Sequence, residues 1–476
     1  MSTEPDLVSI QPKWRLRPSE RRSTLFIGDL LIAVGSLVFA LYFWASGGEF
    51  LSFSTDFLRY RVPFWFYLLP VVWLLMLIES YNPSRVNIRS EAYREVTVAA
   101  IAGFAFYLII FFFSEPNSLP RRGVAAFFAS AYVLTLLWRF IYIKLFTLPL
   151  FMRRVLIIGA GRAGSHLAQI IRDMWPPPFY LVGLVDDDPE KIGTEIAGYR
   201  VLGSGSDIFR LIREHQVTDL VIAISGEMNP QLFATLLEAE EQGIEVTTMP
   251  TLYEELLGRV PIFLLQSDWV LRSFVDQAHM GGFFELSKRL LDILGGLIGT
   301  LLMLALFPLI ALAIYLESGR PIFYTQTRLG KNGRPYKIIK FRTMIQDAEK
   351  DGIPRTTAEN DQRTTKVGRF LRRSHLDELP QFINVLRGEM SLVGPRSERP
   401  EIVQEYQKAL PFYRARLFVK PGITGWAQVN FGYAEDVRSN AIKLEYDLYY
   451  IKHRSLTLDL LILIRTVGTV IGLKGR

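Results

Sequence analysis

The stretch Arg154-Val155-Leu156-Ile157-Ile158-Gly159-Ala160-Gly161-Arg162-Ala163-Gly164 sets an apolar run of strand length before a glycine-rich turn that opens a helical pattern. Residues 181–185 repeat the apolar run and end in Asp186-Asp187-Asp188, about 20 residues beyond the turn. Residues 220–224 and 246–249 read as later strands of the same parallel sheet. Strands alternating with helical patterns at this spacing predict an α/β domain over residues 151–265.

In a Rossmann-like domain of this kind, Gly159, Gly161 and Gly164 let a pyrophosphate approach a helix N-terminus, and the acid takes a ribose hydroxyl. The same turn serves equally for packing alone, because the fold hosts many roles. Residues 153–287 carry 10 basic and 19 acidic side chains, which suits an anionic ligand poorly. A regulatory or dimerising role competes with nucleotide binding.

Outward from this domain the chain turns apolar. Half of its 476 residues are hydrophobic, only 21% are charged and mean hydropathy is +0.20, so part of it belongs in lipid. It holds no cysteine, which excludes disulfides, thiolate metal sites and cysteine nucleophiles. His166, His215, His279, His375 and His453 are scattered without metal-ligand spacing.

Apolar stretches at 25–44, 64–78, 96–113 and 124–146 predict a four-helix transmembrane bundle over residues 1–150. Lys13, Arg15, Arg17, Arg21 and Arg22 precede the first. Arg85, Arg89 and Arg94 separate the second from the third, and Lys144, Arg153 and Arg154 follow the fourth. This bias places both ends of the bundle, and the soluble remainder, in the cytoplasm.

After a linker at 266–282, residues 293–316 form another uncharged run long enough to span. Its flanks are basic, with Lys288 and Arg289 before it and Arg320, Arg328 and Lys331 after. Pro308 interrupts it. The expectation is a re-entrant helix that breaks at Pro308 and returns to the cytoplasmic leaflet, with an ordinary span as the competing reading. Residues 317–476 carry 28 basic and 17 acidic side chains. Beside so much apolar sequence, that excess suits anionic headgroups or a phosphorylated substrate, not nucleic acid.

The chemistry gathers in this basic block, in three runs. The first is the strand pattern Tyr336-Lys337-Ile338-Ile339-Lys340-Phe341-Arg342-Thr343-Met344. The second is Arg372-Arg373-Ser374-His375-Leu376-Asp377-Glu378-Leu379-Pro380-Gln381. The third is Met390-Ser391-Leu392-Val393-Gly394-Pro395-Arg396. Adjacent acids such as Asp377 and Glu378 can hold a divalent cation or attack phosphorus. Lys340, Arg342, Arg372 and Arg396 are candidates for neutralising a diphosphate. A solvated helix start is the bland alternative for the acidic pair.

With Lys420-Pro421-Gly422-Ile423-Thr424-Gly425-Trp426-Ala427-Gln428-Val429, these runs resemble the bacterial sugar transferase family over about residues 283–475. Its members are polyprenyl-phosphate hexose-1-phosphate transferases. The closest sub-group is that of the large members of exopolysaccharide, O-antigen or capsule initiation, which add four transmembrane helices and a Rossmann-like domain. The resemblance implies a small α/β catalytic domain over 283–476 on the cytoplasmic face of a bacterial inner membrane. It implies transfer of a sugar-1-phosphate from a UDP-sugar to undecaprenyl phosphate, with release of UMP. Asp377 would be the nucleophile, Glu378 its partner, and Mg2+ would bind at this dyad. Arg372, Arg396, Lys443 and Asp459 match motif positions lining the family's site.

Three departures stand out. The family's Ser-Pro helix break reads Phe307-Pro308. Its Gly-Pro-Arg-Pro reads Gly394-Pro395-Arg396-Ser397. Its Gly-Arg-Asn is replaced by Asn430-Phe431-Gly432-Tyr433, which removes an expected phosphate-contacting arginine and leaves open whether Arg438 replaces it. Competing functions are a membrane-anchored NAD-dependent nucleotide-sugar-modifying enzyme acting through the glycine-rich turn, and a non-catalytic scaffold of polysaccharide assembly. An acidic middle domain beside a basic C-terminal one invites a homodimer.

Overall fold

The computed structural model describes residues 18–46, 53–81, 89–113, 121–146, 152–174, 177–224, 226, 228–264, 281–345, 363–431 and 436–471. The chain divides into two compact units, Met1–Leu257 and Gly258–Arg476.

The first unit opens with helices α1 (Pro18–Ser46), α2 (Leu69–Met76), α3 (Arg89–Phe113) and α4 (Arg121–Phe146). Ala33, Phe66, Trp73, Phe127 and Ala131 are buried between them, while Leu31, Val38, Ile101 and Val133 point outward. Large apolar side chains on the outer face are what lipid-facing helices carry. The second apolar stretch is a 3₁₀ turn (Phe64–Leu68) running into the 8-residue α2, shorter than a straight crossing requires. Between α1 and α4 lies a buried ion pair, Arg139 to Asp29 at 2.8 Å, with the Tyr81 hydroxyl donating to the same carboxylate oxygen at 2.6 Å.

The same unit continues through β1 (Arg154–Ile158), α5 (Arg162–Asp173), β2 (Tyr180–Val185), β3 (Glu195–Ile196), β4 (Tyr199–Gly203), α6 (Ile208–His215), β5 (Asp219–Ile222), α7 (Pro230–Glu241), β6 (Glu245–Thr248) and α8 (Met249–Leu257). The sheet order is β3-β4-β2-β1-β5-β6, parallel except for β3 against β4. That hairpin was not anticipated from apolar runs. Its strands are short and polar, and its turn is Ala197-Gly198, both with positive φ, the conformation a two-residue hairpin turn demands. The helices and the sheet are not separate bodies. The Arg21 guanidinium reaches the Pro178 carbonyl at 3.4 Å, so residue 150 is no boundary between compact units.

The second unit starts at Gly258, earlier than the sequence suggests. Val260 and Ile262 are buried in its core, the Val260 N–H donates to the Glu445 carbonyl at 3.1 Å, and the Trp426 indole donates to the Gly258 carbonyl at 2.7 Å. Residues 258–264 therefore belong with the C-terminal domain and not with the Rossmann-like one. Of the expected linker, only 281 and 282 fall within the described residues.

Helix α9 (Gly282–Ser318) follows, 37 residues long. It stays helical through Pro308, so the chain does not leave the helix at that residue: a proline forfeits one backbone hydrogen bond, and the flanking turns hold. One face packs on the domain so closely that a Cβ on Gly299 would collide with the Phe382 ring. Leu286, Leu290, Leu294, Leu301, Leu309 and Leu316 stay exposed on the other. Among the described residues, 23–46, 121–146 and 282–318 are long and apolar enough to cross a membrane.

The domain is completed by the antiparallel pair β7 (Phe323–Leu329) and β8 (Pro335–Phe341), α10 (Lys366–Arg373), α11 (Gln381–Arg387), β9 (Ser391–Val393), α12 (Pro400–Ala409), β10 (Gly422–Thr424), which pairs parallel with β9, α13 (Trp426–Asn430), α14 (Val437–Lys452) and α15 (Leu456–Ile471).

Candidate active site

Asp377 and Glu378 sit on a single 3₁₀ turn, Leu376–Glu378, between α10 and α11. His375 enters that turn at φ 56°, a left-handed conformation that a non-glycine residue adopts at some cost and that often marks a functional site. Strand β8 delivers Lys340, whose Nζ donates to Glu378 Oε1 at 2.7 Å. The loop leaving β9 delivers Arg396, whose Nη2 donates to the same oxygen at 2.7 Å. Arg372 projects from α10, with Nε on Thr343 Oγ1 at 2.8 Å and its charge acting on Asp377.

The two acids are held differently. Among the described residues the Asp377 carboxylate accepts no hydrogen bond, although only 8% of the residue is exposed. Burial, then the neighbouring Glu378 charge, pushes it up to about 6 against the pull of Lys340, Arg372 and Arg396. Burial works the same way on Glu378, but Arg396 and Lys340 outweigh it and hold that carboxyl well below the usual range. Adjacent titratable groups driven apart by their surroundings are the pattern of divided catalytic roles.

The other anticipated residues lie further out. Arg342 turns away from the dyad, and its Nη2 donates to Ser318 O, Ser318 Oγ and Gly319 O, closing the end of α9. Lys443 bonds Glu398 at 2.8 Å. Burial opposes the charge on Glu398, but Lys443 and Arg416 bring it down to about 2. Asp459 is fully buried between Lys288 Nζ at 2.7 Å and the Tyr450 hydroxyl at 2.8 Å. Lys340, Arg372 and Arg396 thus gather at the dyad. Arg342, Lys443 and Asp459 brace the segments around it.

Sequence reading passed over Glu398 and Arg416, and took Asp292 only as part of the opening of the re-entrant segment. Asp292 Oδ1 accepts from Ser391 Oγ at 2.8 Å and Leu392 N at 2.9 Å. Arg416 pairs with Asp447 at 2.7 Å. Nothing in their spacing marks these roles, except that Glu398 follows Arg396 by two residues. The Phe307 ring, where the family has serine, stacks on Phe323 at 5.6 Å and 5°, and Phe323 stacks on Phe341 at 5.4 Å and 18°.

The glycine-rich turn connects β1 to α5 as anticipated. A Cβ on Gly164 would run into the Gly159 carbonyl, so glycine there is a packing requirement. Asp186, the acid placed for a ribose, accepts from Ala160 N at 2.7 Å and Asp188 N at 3.0 Å, and pairs with Lys191. No cluster of three potential metal ligands occurs among the described residues.

Residues 283–472 match the family model described as bacterial sugar transferase, and residues 76–250 match one described as a CoA-binding domain. A UDP-N-acetylgalactosamine-undecaprenyl-phosphate N-acetylgalactosaminephosphotransferase of Aeromonas hydrophila is 41% identical over 228 residues, 48% of this chain and 52% of that one. UDP-glucose:undecaprenyl-phosphate glucose-1-phosphate transferases are similar as well. That of Xanthomonas campestris pv. campestris is 34% identical over 58% of each chain, and that of Klebsiella pneumoniae is 41% identical over 66% of this chain and 67% of its own. The chain spans about half the length of several curated relatives that it matches. Relatives of this kind, with the long apolar helices, mark it as a membrane protein.

Proposed function

Because this chain belongs to the bacterial sugar transferase family, we propose that it moves a sugar-1-phosphate, of a hexose, from a UDP-sugar to undecaprenyl phosphate and releases UMP. The observation that carries the reading is the dyad. Glu378 is fixed as an anion between Lys340 and Arg396, while Asp377 is buried beside it with no hydrogen bond from the described residues.

In this reading the diphosphate enters among Lys340, Arg372 and Arg396, which offset the charge developing at phosphorus. An Asp377 carboxylate oxygen forms a bond to the sugar-bearing phosphorus as that phosphorus loses its bond to the bridging oxygen, and UMP leaves with the electron pair. A phosphate oxygen of the lipid then attacks the same phosphorus and frees Asp377. Covalent catalysis divides one transfer into two.

The residues fit a magnesium ion: among the described residues both Asp377 oxygens are unbonded, and Glu378 Oε2 carries only a 3.5 Å contact from Arg396. Bound there, the ion would supply further Lewis-acid screening of the diphosphate.

We place the protein in the bacterial cytoplasmic membrane, with four N-terminal crossings and the catalytic domain on the cytoplasmic face. A re-entrant α9 is supported by the hydrogen bonds that tie Lys288 and Asp292 near one end, and Ser318 at the other, to one domain. The glycine-rich turn we assign to packing, since its acid is already bonded to the turn. Opposite charge on the middle and C-terminal domains supports self-association.

The test is a panel of UDP-sugars with undecaprenyl phosphate in detergent, following UMP. Release with one sugar, abolished in Asp377→Asn, is expected. No release with any sugar overturns the reading.

A further inference from the structure

The two cations on Glu378 are each tied, within a few residues, to an opposite end of α9. After Lys340 come Phe341 and Arg342, and the Arg342 guanidinium grips Ser318 and Gly319 at 2.6–2.8 Å. Before Arg396 comes β9. Its Leu392 N–H and Ser391 hydroxyl both donate to Asp292 Oδ1, and its Val393 carbonyl accepts from Lys288 Nζ at 3.2 Å. Asp292 is 2% exposed and Arg342 7%, so neither bond competes with water.

These anchors lie far apart on the helix. From Asp292 to Ser318 is about 39 Å of axis at 1.5 Å per residue. Yet Lys340 and Arg396 converge on one oxygen of Glu378. Between the anchors stands Pro308, where a helix bends most readily, and beside it the Phe307 ring rests on the strand pair that carries Lys340. The outward face of α9 is leucine along its whole length, so surrounding hydrocarbon acts on its shape. A helix that dips into one leaflet and returns is limited by the depth of that leaflet, and meets a change of thickness by tilting or bending.

We propose that Asp292 and Arg342 are positioning residues that convert the fit of α9 to the bilayer into the separation of Lys340 and Arg396, so that transfer depends on bilayer thickness. This rests on the transfer reading above and adds control of the same site by lipid. A thicker or thinner bilayer bends or straightens α9 at Pro308, the two anchors move relative to each other, and the cations that fix Glu378 move with them. Neither residue touches the substrate in this scheme. Each acts through the backbone of its neighbour on Glu378.

The experiment uses the full chain in nanodiscs of monounsaturated phosphatidylcholines from about 14 to about 22 carbons, with a fixed fraction of undecaprenyl phosphate and UMP release as readout. Wild-type turnover is expected to pass through a maximum and vary about threefold or more across the series. Asp292→Asn and Arg342→Lys should lower turnover and flatten the curve. A flat wild-type curve overturns the proposal. So do variant curves that keep the wild-type shape scaled by a constant, because acceptor access would then set the dependence. Should either variant not fold, Ser391→Ala and Ser318→Ala, which remove only a side-chain partner of each anchor, are held to the same outcomes. Absence of wild-type turnover in every bilayer refutes the transfer reading itself.

Discussion

The Arg416 guanidinium donates at 3.0 Å to the backbone carbonyl of Arg396, so the arginine that holds Glu378 is itself held from behind. Arg416 is 4% exposed and also binds Asp447 and Glu398. Arg416→Met leaves two buried carboxylates short of their cation, which costs about 3–5 kcal/mol. Denaturant unfolding should show that loss. Arg416→Lys keeps the charge but not the fork, and is expected to retain most stability while kcat/KM for the UDP-sugar falls.

Asp377→Asn keeps shape and removes the charge, so turnover should drop by about three orders of magnitude or more. Wild-type enzyme given UDP-sugar without lipid acceptor should gain the mass of one sugar-phosphate at Asp377, and steady-state kinetics should be ping-pong. Intact-mass and peptide mass spectrometry check the first. Sequential kinetics without an adduct would leave direct attack by the lipid phosphate.

A nucleophilic Asp377 must be ionised, and its pKa is raised to about 6. Activity should therefore climb as pH rises through about 6 and fade below it. Burial is the largest cause and Glu378 the next. Glu378→Gln removes that neighbouring charge and releases Lys340 and Arg396 to Asp377. The residual activity of Glu378→Gln should hold to lower pH, read from a kcat/KM profile at fixed magnesium.

Glu398 behaves oppositely. Its folded pKa, about 2, lies below the ordinary carboxylate value of 4.5, so its stabilising contribution is full above that value and is lost as pH falls toward 2. Stability of Glu398→Gln should be lower at neutral pH and depend less on pH over that window. Chemical denaturation at stepped pH measures it.

A C-terminal fragment should begin at Gly258. Starting at Gly282 discards the buried Val260 and Ile262, roughly 3 kcal/mol or more of apolar burial. Thermal melts in detergent should separate the two fragments, with transfer activity surviving better in the longer one.

The parts of the fold written as local patterns were legible in the sequence: apolar runs for α1, α4 and α9, the strand–turn–helix at Gly159, and the motif runs around Asp377. What escaped was set by distance or brevity. Val260 and Ile262 look like any apolar pair until Glu445 supplies the backbone partner. The β3–β4 hairpin is too short and polar to show a period. At the site, charge pattern named Lys340, and charge and motif position together named Arg372 and Arg396, but neither could separate groups at the dyad from groups behind it. Arg342 and Lys443 carry the same charge as the dyad's cations and Asp459 that of the dyad itself, and only the fold assigns them to a helix end, to Glu398 and to Lys288.

Asp29 and Arg139 are 110 residues apart in sequence and joined in α1 and α4. At about 5–20 residues per second of synthesis, α1 waits roughly 5–20 s for its partner. Over that interval a lone carboxylate in hydrocarbon costs about 2.5–3.5 kcal/mol. Helix α1 is thus a poor lodger in lipid until α4 is made, and its insertion depends on whatever shelters it meanwhile.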